Sequence, residues 1–368
     1  MIIGIDASRA NKPIKTGVEW YAYFIIEELK KLDRLNQYRL YTRDALIGDL
    51  AVCPSNFQET RLSWPLPYFW TQGRLSWEMK RRSPDVLFVP AHVLPPVCPR
   101  RAVVMIHDIG FIKHPEFYPL SQRYYHQYAT RLDIKKASLI IVPSLFTKQE
   151  LGDYYQIPAE KIKVIHHGFN PAFHQPTDNL GVKAWRAKNH LDNPYFLFIG
   201  RLEKKKNVLR LVKAFRLLLE SHPDSRLVLA GALGNYGSEV VDYLQANQLL
   251  DNVLITGWLP TAELNHALSG AEALVFPSLY EGFGLPVLEA QAAGVPVLCS
   301  RVASLPEVAG EGALYFNPQS VEEIALAMRK ILEDKELRQK LIVAGQANVQ
   351  RFNWATAAQE TLSALLNS

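Results

Sequence analysis

The chain has 368 residues, 48% of them hydrophobic and 21% charged, which predicts a globular protein with two buried cores and excludes a disordered chain. No segment approaches the roughly 20 apolar residues of a membrane span, and the opening MIIGID predicts a buried strand instead of a signal peptide. Cys53, Cys98 and Cys299 are far apart and lack metal-ligand spacing. They argue against disulfides and a zinc site, so we expect a cytoplasmic protein.

The net charge of +5 is concentrated in the first half of the chain. Residues 1–170 carry 23 Lys and Arg against 16 Asp and Glu, a net of +7, and the rest of the chain carries −2. Lys80, Arg81 and Arg82 form the densest basic cluster. This half could attract an anionic acceptor or the anionic face of a membrane, although an ordinary solvated surface has the same pattern. Nothing in the sequence predicts a nucleic acid partner.

In chain order, short apolar segments rich in β-branched residues alternate with amphipathic segments. This pattern predicts an α/β fold with two Rossmann-like, doubly wound parallel sheets, each covered by helices on both faces. The predicted strands are 1–6, 38–42, 85–90, 101–107, 138–143 and 162–166 in the first half, and 195–199, 225–230, 252–256, 272–277, 295–299 and 313–316 in the second. The clearest helices of the first half are 18–32 and 120–136.

The segment HGFNPAFHQPTDN, residues 167–179, is rich in Gly, Pro, Asn and His and lacks periodicity, so it is the predicted linker between the domains. The first domain then covers residues 1–170 and the second residues 180–354. A long helical pattern after residue 320 pauses near residues 351–354 and resumes. The last helix, residues 355–368, is predicted to leave the second domain.

In doubly wound sheets, ligands bind outside the carboxyl ends of the strands, so the loops after strands are where chemistry is expected. GRLEKKKN follows a predicted strand and contains Arg201 and Lys206 just before a helix that begins near Asn207. A guanidinium fork and a compact ammonium are suited to a diphosphate leaving group. A charged surface turn is the alternative, and Lys204 and Lys205 are interpreted as solvated neighbours.

EGFGLPVLE follows another strand and opens a helix. Gly282 and Gly284 let the backbone approach a ligand, and the helix beginning at Leu285 offers N–H groups and a positive dipole end to phosphate. Glu281 precedes this helix and Glu289 lies inside it, so both carboxylates can point toward one site. A carboxylate can accept the two hydroxyl hydrogens of a diol. Glu289 could instead serve only the helix dipole.

GRLEKKKN followed by EGFGLPVLE, with its two Glu residues eight apart, resembles the retaining glycosyltransferases of family 4. The segments VPSLFTKQEL, KIKVIHHGFN, ITGWLP and RFNW extend the resemblance over nearly the whole chain. It implies the GT-B fold, in which two domains face a cleft and the last helix, here 355–368, crosses back to the first domain. It also implies that Gly17, in TGV, lies in a loop that approaches the donor diphosphate.

The resemblance assigns roles to the other candidate residues. Arg201 and Lys206 would bind the diphosphate, Glu281 and the amides of Phe283 to Leu285 the donor sugar, Glu289 the ribose, and the backbone near Trp258 and Leu259 the base. His107 would contact the donor sugar, with Asp108 beside it. His92 and Asp108 are acceptor-side candidates. For His107 and Asp108 the alternative is a structural histidine followed by a turn cap. HDIGFIKHPEFYP resembles the mannosyltransferase-like subset, which implies GDP-mannose as donor.

No D-x-D pair occurs, so the usual carboxylate clamp for a metal is missing and no cofactor or divalent metal is expected. Retention at the sugar carbon would require either a covalent intermediate or a front-face route, in which the leaving phosphate helps to deprotonate the acceptor. The family resemblance implies the front-face route. The alternatives are a sugar phosphorylase or nucleotide-sugar epimerase on the same fold, and a non-enzymatic nucleotide-sugar sensor. A dinucleotide dehydrogenase is disfavoured because G-x-G-x-x-G is absent after the first strand.

The acceptor would be held by loops of the first domain such as residues 43–82, which contain SWPLPYFW and LSWEMKRR. These loops are aromatic and basic. We expect a lipid-linked saccharide at the inner membrane face, with peripheral membrane contact through this surface; a soluble saccharide is the alternative.

Overall fold

The computed structural model describes residues 1–66, 68–174 and 178–368. The chain forms two compact domains. The first contains Met1–Gly168 and Asn353–Ser368, and the second contains Phe169–Phe352. Residues 175–177 of the predicted linker lie outside the described residues.

The first domain is built on a parallel sheet of seven strands. They are β1 (Ile2–Asp6), β2 (Gln37–Thr42), β3 (Phe57–Arg61), β4 (Val86–Val89), β5 (Ala102–Met105), β6 (Leu139–Val142) and β7 (Ile162–Val164), in the order β3-β2-β1-β4-β5-β6-β7. The strand order reverses between β1 and β4, as in doubly wound folds.

Helices cover this sheet and connect its strands. They are α1 (Gly17–Leu32), α2 (Ser76–Arg82), α3 (Gly110–Lys113), α4 (Leu120–Lys136), α5 (Leu145–Tyr155) and, from the end of the chain, α14 (Trp354–Asn367). Single helical turns lie at Gly48–Ala51, Thr71–Leu75, Pro115–Phe117 and Ala159–Lys161.

The second domain is built on a parallel sheet of six strands. They are β8 (Tyr195–Ile199), β9 (Arg226–Ala230), β10 (Val253–Gly257), β11 (Ala273–Phe276), β12 (Val297–Ser300) and β13 (Ala313–Phe316), in the order β10-β9-β8-β11-β12-β13. Its helices are α6 (Asn179–Lys188), α7 (Val208–Leu219), α8 (Gly237–Ala246), α9 (Thr261–Ser269), α10 (Leu285–Ala292), α11 (Leu305–Ala309), α12 (Val321–Glu333) and α13 (Lys335–Val349), with short turns at Pro171–Phe173 and Lys204–Lys206.

The buried strand β8 shows why these apolar segments form a central sheet. Leu197 and Ile199 point into one hydrophobic cluster, and Phe196 and Phe198 point into the cluster on the other face. All five residues of the strand are largely buried. A continuous apolar run is therefore required, because helices cover both faces of a parallel sheet.

The last helix, α14, packs against α1 within the first domain. The Trp354 ring stacks on Phe24 with centroids 5.2 Å apart, and lies 6.0 Å from the ring of Tyr21. Gly168 packs closely against Trp354, since a Cβ at residue 168 would lie 2.5 Å from the Trp354 backbone nitrogen. The C-terminal segment is thus part of the first domain's core.

The doubly wound α/β architecture predicted from the sequence is confirmed, but one strand was not predicted. β3 reads FQETR, in which only Phe57 is buried. It is an edge strand with a single neighbour, β2, so most of its side chains remain in water and the apolar pattern is absent. Within the described part of the chain, every helix falls short of the length or apolar character needed to cross a membrane.

Candidate active site

The strand order of the second sheet reverses between β8 and β11. The loop after β8, residues 200–207, and the loop after β11, residues 277–284, therefore flank the point where doubly wound folds bind ligands. The two loops also contact each other, because the Leu279 N–H donates to the Lys205 carbonyl at 2.8 Å. Both motifs singled out in the sequence lie here.

Lys206 and Glu281 form the central charged pair. The Lys206 Nζ donates to Glu281 Oε1 at 2.6 Å, and the two side chains are only 16% and 10% exposed. The ammonium also lies 5.0 Å from the centroid of the Phe276 ring. Two residues 75 positions apart are thus in direct contact. The pair places an ammonium, which can bind phosphate, beside a carboxylate, which can accept a sugar hydroxyl hydrogen.

Asn207 holds the two loops together, a role the sequence did not predict. Its φ of +61° lies in the left-handed region, which Asn tolerates better than most residues. The buried Nδ2 donates to the carbonyls of Pro277 at 3.0 Å and Pro318 at 2.7 Å. Because one side chain joins the segments after β11 and β13 to the start of α7, the position of Lys206 is restrained.

Arg201 lies at the same edge of the sheet and is accessible. Its side chain is 60% exposed, with Nε 3.4 Å from a Glu203 carboxylate oxygen. The neighbouring backbone is closely packed, since a Cβ at Gly231 would lie 2.0 Å from the Gly200 carbonyl oxygen. Glycine at residue 231 therefore lets the ends of β8 and β9 approach.

The loop before α10 depends on Gly284 and a buried serine. Gly284 has a φ of +110°, and a Cβ there would lie 2.8 Å from Leu305 Cδ2. The Ser304 Oγ lies 2.9 Å from the carbonyl oxygen of Glu281 and 3.0 Å from that of Phe283, and donates to them. Ser304 was not predicted from the sequence, because nothing in its local segment indicates this contact.

Gly282 and Phe283 can contact a ligand through their backbone and not through a side chain. The Phe283 ring is buried, with its centroid 5.8 Å from that of Phe352. Leu285 is the first residue of α10, so no intrahelical carbonyl accepts from its amide. The positive end of the helix dipole lies at the same place.

Glu289 lies inside α10, one turn beyond its start. Burial raises the pKa of this carboxyl to about 7. Trp258 and Leu259 follow β10 directly. The Trp258 side chain is 48% exposed, whereas Leu259 packs against the core of the domain. These residues all lie in the second domain.

The remaining predicted residues belong to the first domain. His107 follows β5, and its Nε2 donates to the Pro90 carbonyl at 3.1 Å. Burial, assisted by nearby His92, lowers the pKa of His107 to about 4, so the ring is neutral near pH 7. Since Nε2 carries the hydrogen, Nδ1 is available as an acceptor. His167, which was not predicted, lies 5.6 Å from the His107 ring centroid.

His92 has a buried carboxylate partner, Asp133 on α4. Asp133 Oδ2 lies 3.5 Å from His92 Nδ1, and Oδ1 accepts the Leu94 N–H at 2.7 Å. Burial raises the pKa of Asp133, and the His92 contact opposes that shift. Asp133 was not predicted, because it lies 41 residues from His92 and comes close only through the fold.

Asp108 and Gly17 have local structural roles. The Asp108 carboxylate accepts the Gly110 N–H at 2.9 Å, as in the turn-cap alternative. Gly17 is the exposed first residue of α1, next to Thr16, whose backbone N–H donates to the Glu19 carboxylate at 3.2 Å. Over the described residues, no group of three or more His, Cys, Asp or Glu side chains is arranged to hold a metal ion.

Family comparisons cover both domains. A model described as Glycosyl transferases group 1 matches residues 182–348, and one described as Glycosyltransferase Family 4 matches residues 16–173. The chain belongs to the family 4 glycosyltransferases. The membership predicted from GRLEKKKN and EGFGLPVLE is confirmed.

Two relatives of this glycosyltransferase are named as mannosyltransferases. O-antigen chain mannosyltransferase B of Escherichia coli is 29% identical over 347 residues, covering 92% of this chain and 87% of that protein. O-antigen chain mannosyltransferase RfbU of Salmonella typhimurium is 27% identical over 272 residues, covering 73% of this chain and 70% of that protein.

Solved glycosyltransferase structures share the fold. WaaG, a glycosyltransferase involved in lipopolysaccharide biosynthesis, superposes with a TM-score of 0.79 at 17% identity over the full length of both chains. Anabaena HepE in complex with UDP-glucose gives a TM-score of 0.78 at 19% identity, covering 100% of this chain and 99% of that chain. At these identities the likeness concerns architecture, and it confirms the GT-B fold.

Proposed function

We propose that this glycosyltransferase moves a hexose, with mannose as the proposed sugar, from a nucleotide-diphosphate donor to a saccharide acceptor, without a divalent metal and with retention of configuration. The observation that carries the proposal is the Lys206–Glu281 pair, 2.6 Å apart, at the strand-order reversal of the second sheet. Arg201 and the start of α10 belong to the same edge of that sheet.

The leaving diphosphate is proposed to bind Arg201, Lys206 and the amide end of α10. Negative charge grows on the phosphate as the glycosidic bond breaks, and preorganised positive groups stabilise that charge where it develops. Glu281 would exchange its contact with Lys206 for a hydroxyl of the donor sugar, and Glu289 would accept the ribose hydroxyls. These cationic groups supply the charge that a bound metal supplies in other transferases.

In the proposed step, the bond between the sugar carbon and the phosphate oxygen breaks, and the acceptor oxygen bonds to that carbon on the same face. The acceptor proton passes to an oxygen of the leaving phosphate. No side chain acts as the nucleophile, so the contribution of the protein is positioning and charge stabilisation. Neutral His107 would accept a sugar hydroxyl hydrogen at Nδ1, and His92, backed by Asp133, would orient the acceptor hydroxyl.

The sugar and the acceptor class are inferred from the two O-antigen mannosyltransferases that match this chain. Their names support mannose as the transferred sugar and an acceptor in O-antigen synthesis. We propose GDP-mannose as the donor from the resemblance of HDIGFIKHPEFYP to the mannosyltransferase-like subset, and cell-surface polysaccharide synthesis as the process. A lipid-linked acceptor would require the enzyme to bind peripherally at the inner face of the membrane. Exposed apolar side chains of the first domain are suited to this contact, among them Leu66, Tyr68, Phe69 and Trp77, which precede exposed Lys80, Arg81 and Arg82.

The test is incubation of the purified protein with a panel of nucleotide sugars in EDTA, measuring release of donor sugar and protection against thermal unfolding. We expect one donor, GDP-mannose, to protect selectively and to be hydrolysed slowly. Retention is read from the anomeric configuration of the transferred sugar by NMR. Failure of every nucleotide sugar to bind would contradict the proposal, and release of sugar phosphate on adding inorganic phosphate would indicate a phosphorylase instead.

A further inference from the structure

A groove lies at the carboxyl ends of β2 and β3, within the segment 43–82 that is expected to hold the acceptor. It encloses about 370 Å³ and is lined by Arg43, Asp44, Arg61, Ser63, Trp64 and Pro65. Arg61 is the last residue of β3, and its register partner in β2 is Thr42, which immediately precedes Arg43. Two arginines from adjacent strands thus meet at one end of the sheet.

Among the residues that the structure describes, the two guanidinium groups have no acidic partner. In the portion of the chain that is described, neither Arg43 nor Arg61 forms an ion pair or a side-chain hydrogen bond, although Asp44 lines the same groove. Two other arginines of this domain are engaged: Arg74 pairs with Glu78 at 2.9 Å, and Arg101 donates to carbonyls of the last residues, Leu365 and Ser368. An anion in the groove could therefore bind two guanidinium groups that line it.

The walls of the groove are held in place by hydrogen bonds. The Asn11 side chain ties down the loop after β2, donating to the Ala45 carbonyl and accepting the Ile47 N–H, each at 2.9 Å. The Trp64 indole donates to the Tyr68 carbonyl at 2.8 Å. The same ring packs on Gly73, where a Cβ would lie 2.7 Å from it. The aromatic wall therefore has a defined orientation before any ligand binds.

The combination of groups indicates a particular ligand chemistry. Guanidinium forks bind carboxylate or phosphate oxygens, an aromatic ring provides an apolar surface for one side of a sugar, and Asp44 and Ser63 can bond hydroxyls. We propose that this groove binds an acidic sugar unit of the acceptor, bearing a carboxylate or a phosphate. The inference rests on the proposed function, because it specifies the acceptor of that reaction.

The position of the groove makes it a distal subsite. The strand order places β3 three strands from β4, which ends just before His92, a separation of about 14 Å at the usual strand spacing. One sugar unit cannot contact both. The groove would therefore recognise a sugar unit that is several sugars away from the accepting hydroxyl. It would favour longer acidic acceptors over short ones.

The test measures binding to the full-length protein by calorimetry at low salt, with trigalacturonate, mannose 6-phosphate and neutral mannotriose as probes. We expect an anionic probe to bind at least roughly tenfold more tightly than mannotriose, and the double variant Arg43→Ala/Arg61→Ala to lose roughly tenfold of that affinity. Arg34→Ala, an exposed arginine near the end of α1, is the matched control and should bind as the unaltered protein does. Whether trigalacturonate or mannose 6-phosphate binds more tightly identifies the anionic group.

Equal binding of mannotriose, or anionic binding unchanged in the double variant, would overturn the inference. The inference would also be overturned if no saccharide bound and the double variant lost binding to phosphatidylglycerol vesicles. That result would assign the arginines to a membrane. Donor hydrolysis by the same variant separates this inference from the proposed function, because Arg201, Lys206 and Glu281, proposed to bind the donor, lie in the other domain. Intact hydrolysis with no acidic saccharide bound would reject the subsite alone, whereas absent hydrolysis in the unaltered protein would reject the proposed function.

Discussion

At the scale of single residues, the Lys206–Glu281 pair shows how the unliganded site satisfies charges that a donor would later use. Both side chains are largely buried, so each would be costly to leave without a partner. Their contact keeps the ammonium and the carboxylate ready at one place. A donor that brings both phosphate and hydroxyl groups can replace this one contact with two, so ligand-free stability and donor binding depend on the same atoms.

Lys206→Ala removes the ammonium that would stabilise the leaving diphosphate. We expect kcat for sugar transfer to fall by about 10²- to 10³-fold, as when one charge-stabilising donor is lost elsewhere. The measurement is steady-state kinetics with the best donor of the panel, with thermal unfolding confirming that the variant is folded. Lys204→Ala, an exposed lysine of the same turn, is the control. An equal loss of rate in both variants would contradict a specific role for Lys206.

Glu289→Gln tests the partly buried carboxyl of α10. Burial raises its pKa from 4.5 to about 7, so between these values the folded chain retains a proton that the unfolded chain has released. This contribution to stability is present in full below the unfolded pKa and is lost as the pH rises through about 7. We therefore expect the Gln variant to become more stable relative to the unaltered protein as the pH rises, measured as the free energy of unfolding in urea.

The same titration should affect donor binding. Only the ionised carboxylate accepts two ribose hydroxyls, so donor affinity should increase as the pH rises through about 7 and should become independent of pH in Glu289→Gln. Calorimetric titration with the intact nucleotide sugar measures this. A pH dependence that persists in the variant would show that another group is responsible.

At the scale of secondary structure, the loop–helix unit around α10 is the segment proposed to bind the donor phosphate. Gly284 is at positive φ at the helix start, and Ser304 fixes the two carbonyls that precede it. A left-handed backbone conformation at Gly284 is required to present the helix amides at the end of β11. The Gly-rich composition of EGFGLP follows from this conformational requirement.

Gly284→Ala should strain this loop. The added Cβ meets Leu305 Cδ2 at 2.8 Å in a backbone conformation unfavourable for alanine, which we expect to cost about 1–3 kcal/mol of stability and to weaken donor binding. Chemical denaturation and donor titration measure the two effects. Gly152→Ala is the control, because its Cβ would have only ordinary contacts within helix α5. Similar effects at both positions would refute the argument.

At the scale of the whole molecule, the chain is not divided into two consecutive halves. The helix α14 follows the second domain along the chain but belongs to the first domain, so the first domain is completed only after the second has been made. Trp354 is the centre of this arrangement, with ring contacts to Phe24, Tyr21 and His167. The stability of the N-terminal domain therefore depends on the final residues.

Trp354→Ala should destabilise the first domain by about 3–5 kcal/mol, the usual cost of removing a large buried aromatic side chain. The measurement is the unfolding transition followed in denaturant. Trp77→Ala, at a side chain 58% exposed, is the matched control and should change stability by less than about 0.5 kcal/mol. A small effect of Trp354→Ala would mean that α14 is dispensable for that domain.

Much of this could be predicted without a structure, and particular residues show why. Buried strands such as β8 carry a continuous apolar run, so their positions were apparent, and Lys206 and Glu281 lie in short motifs that follow such strands. β3 escaped prediction because four of its five side chains are not buried. The contacts of Asp133, Asn207 and Ser304 could not be inferred, because their partners are distant in sequence.

The sequence by itself determined the two doubly wound sheets, the family, and the two motifs at the carboxyl ends of strands in the second sheet. These features could be predicted because periodicity and local motifs depend on near neighbours along the chain. Only the tertiary structure decided that Lys206 contacts Glu281, that Asp133 backs His92, and that Arg43 and Arg61 share a groove. The physical reason is that charge pairs and pKa values depend on distances of a few ångströms between segments. Those distances are established by packing between elements, which no local pattern encodes.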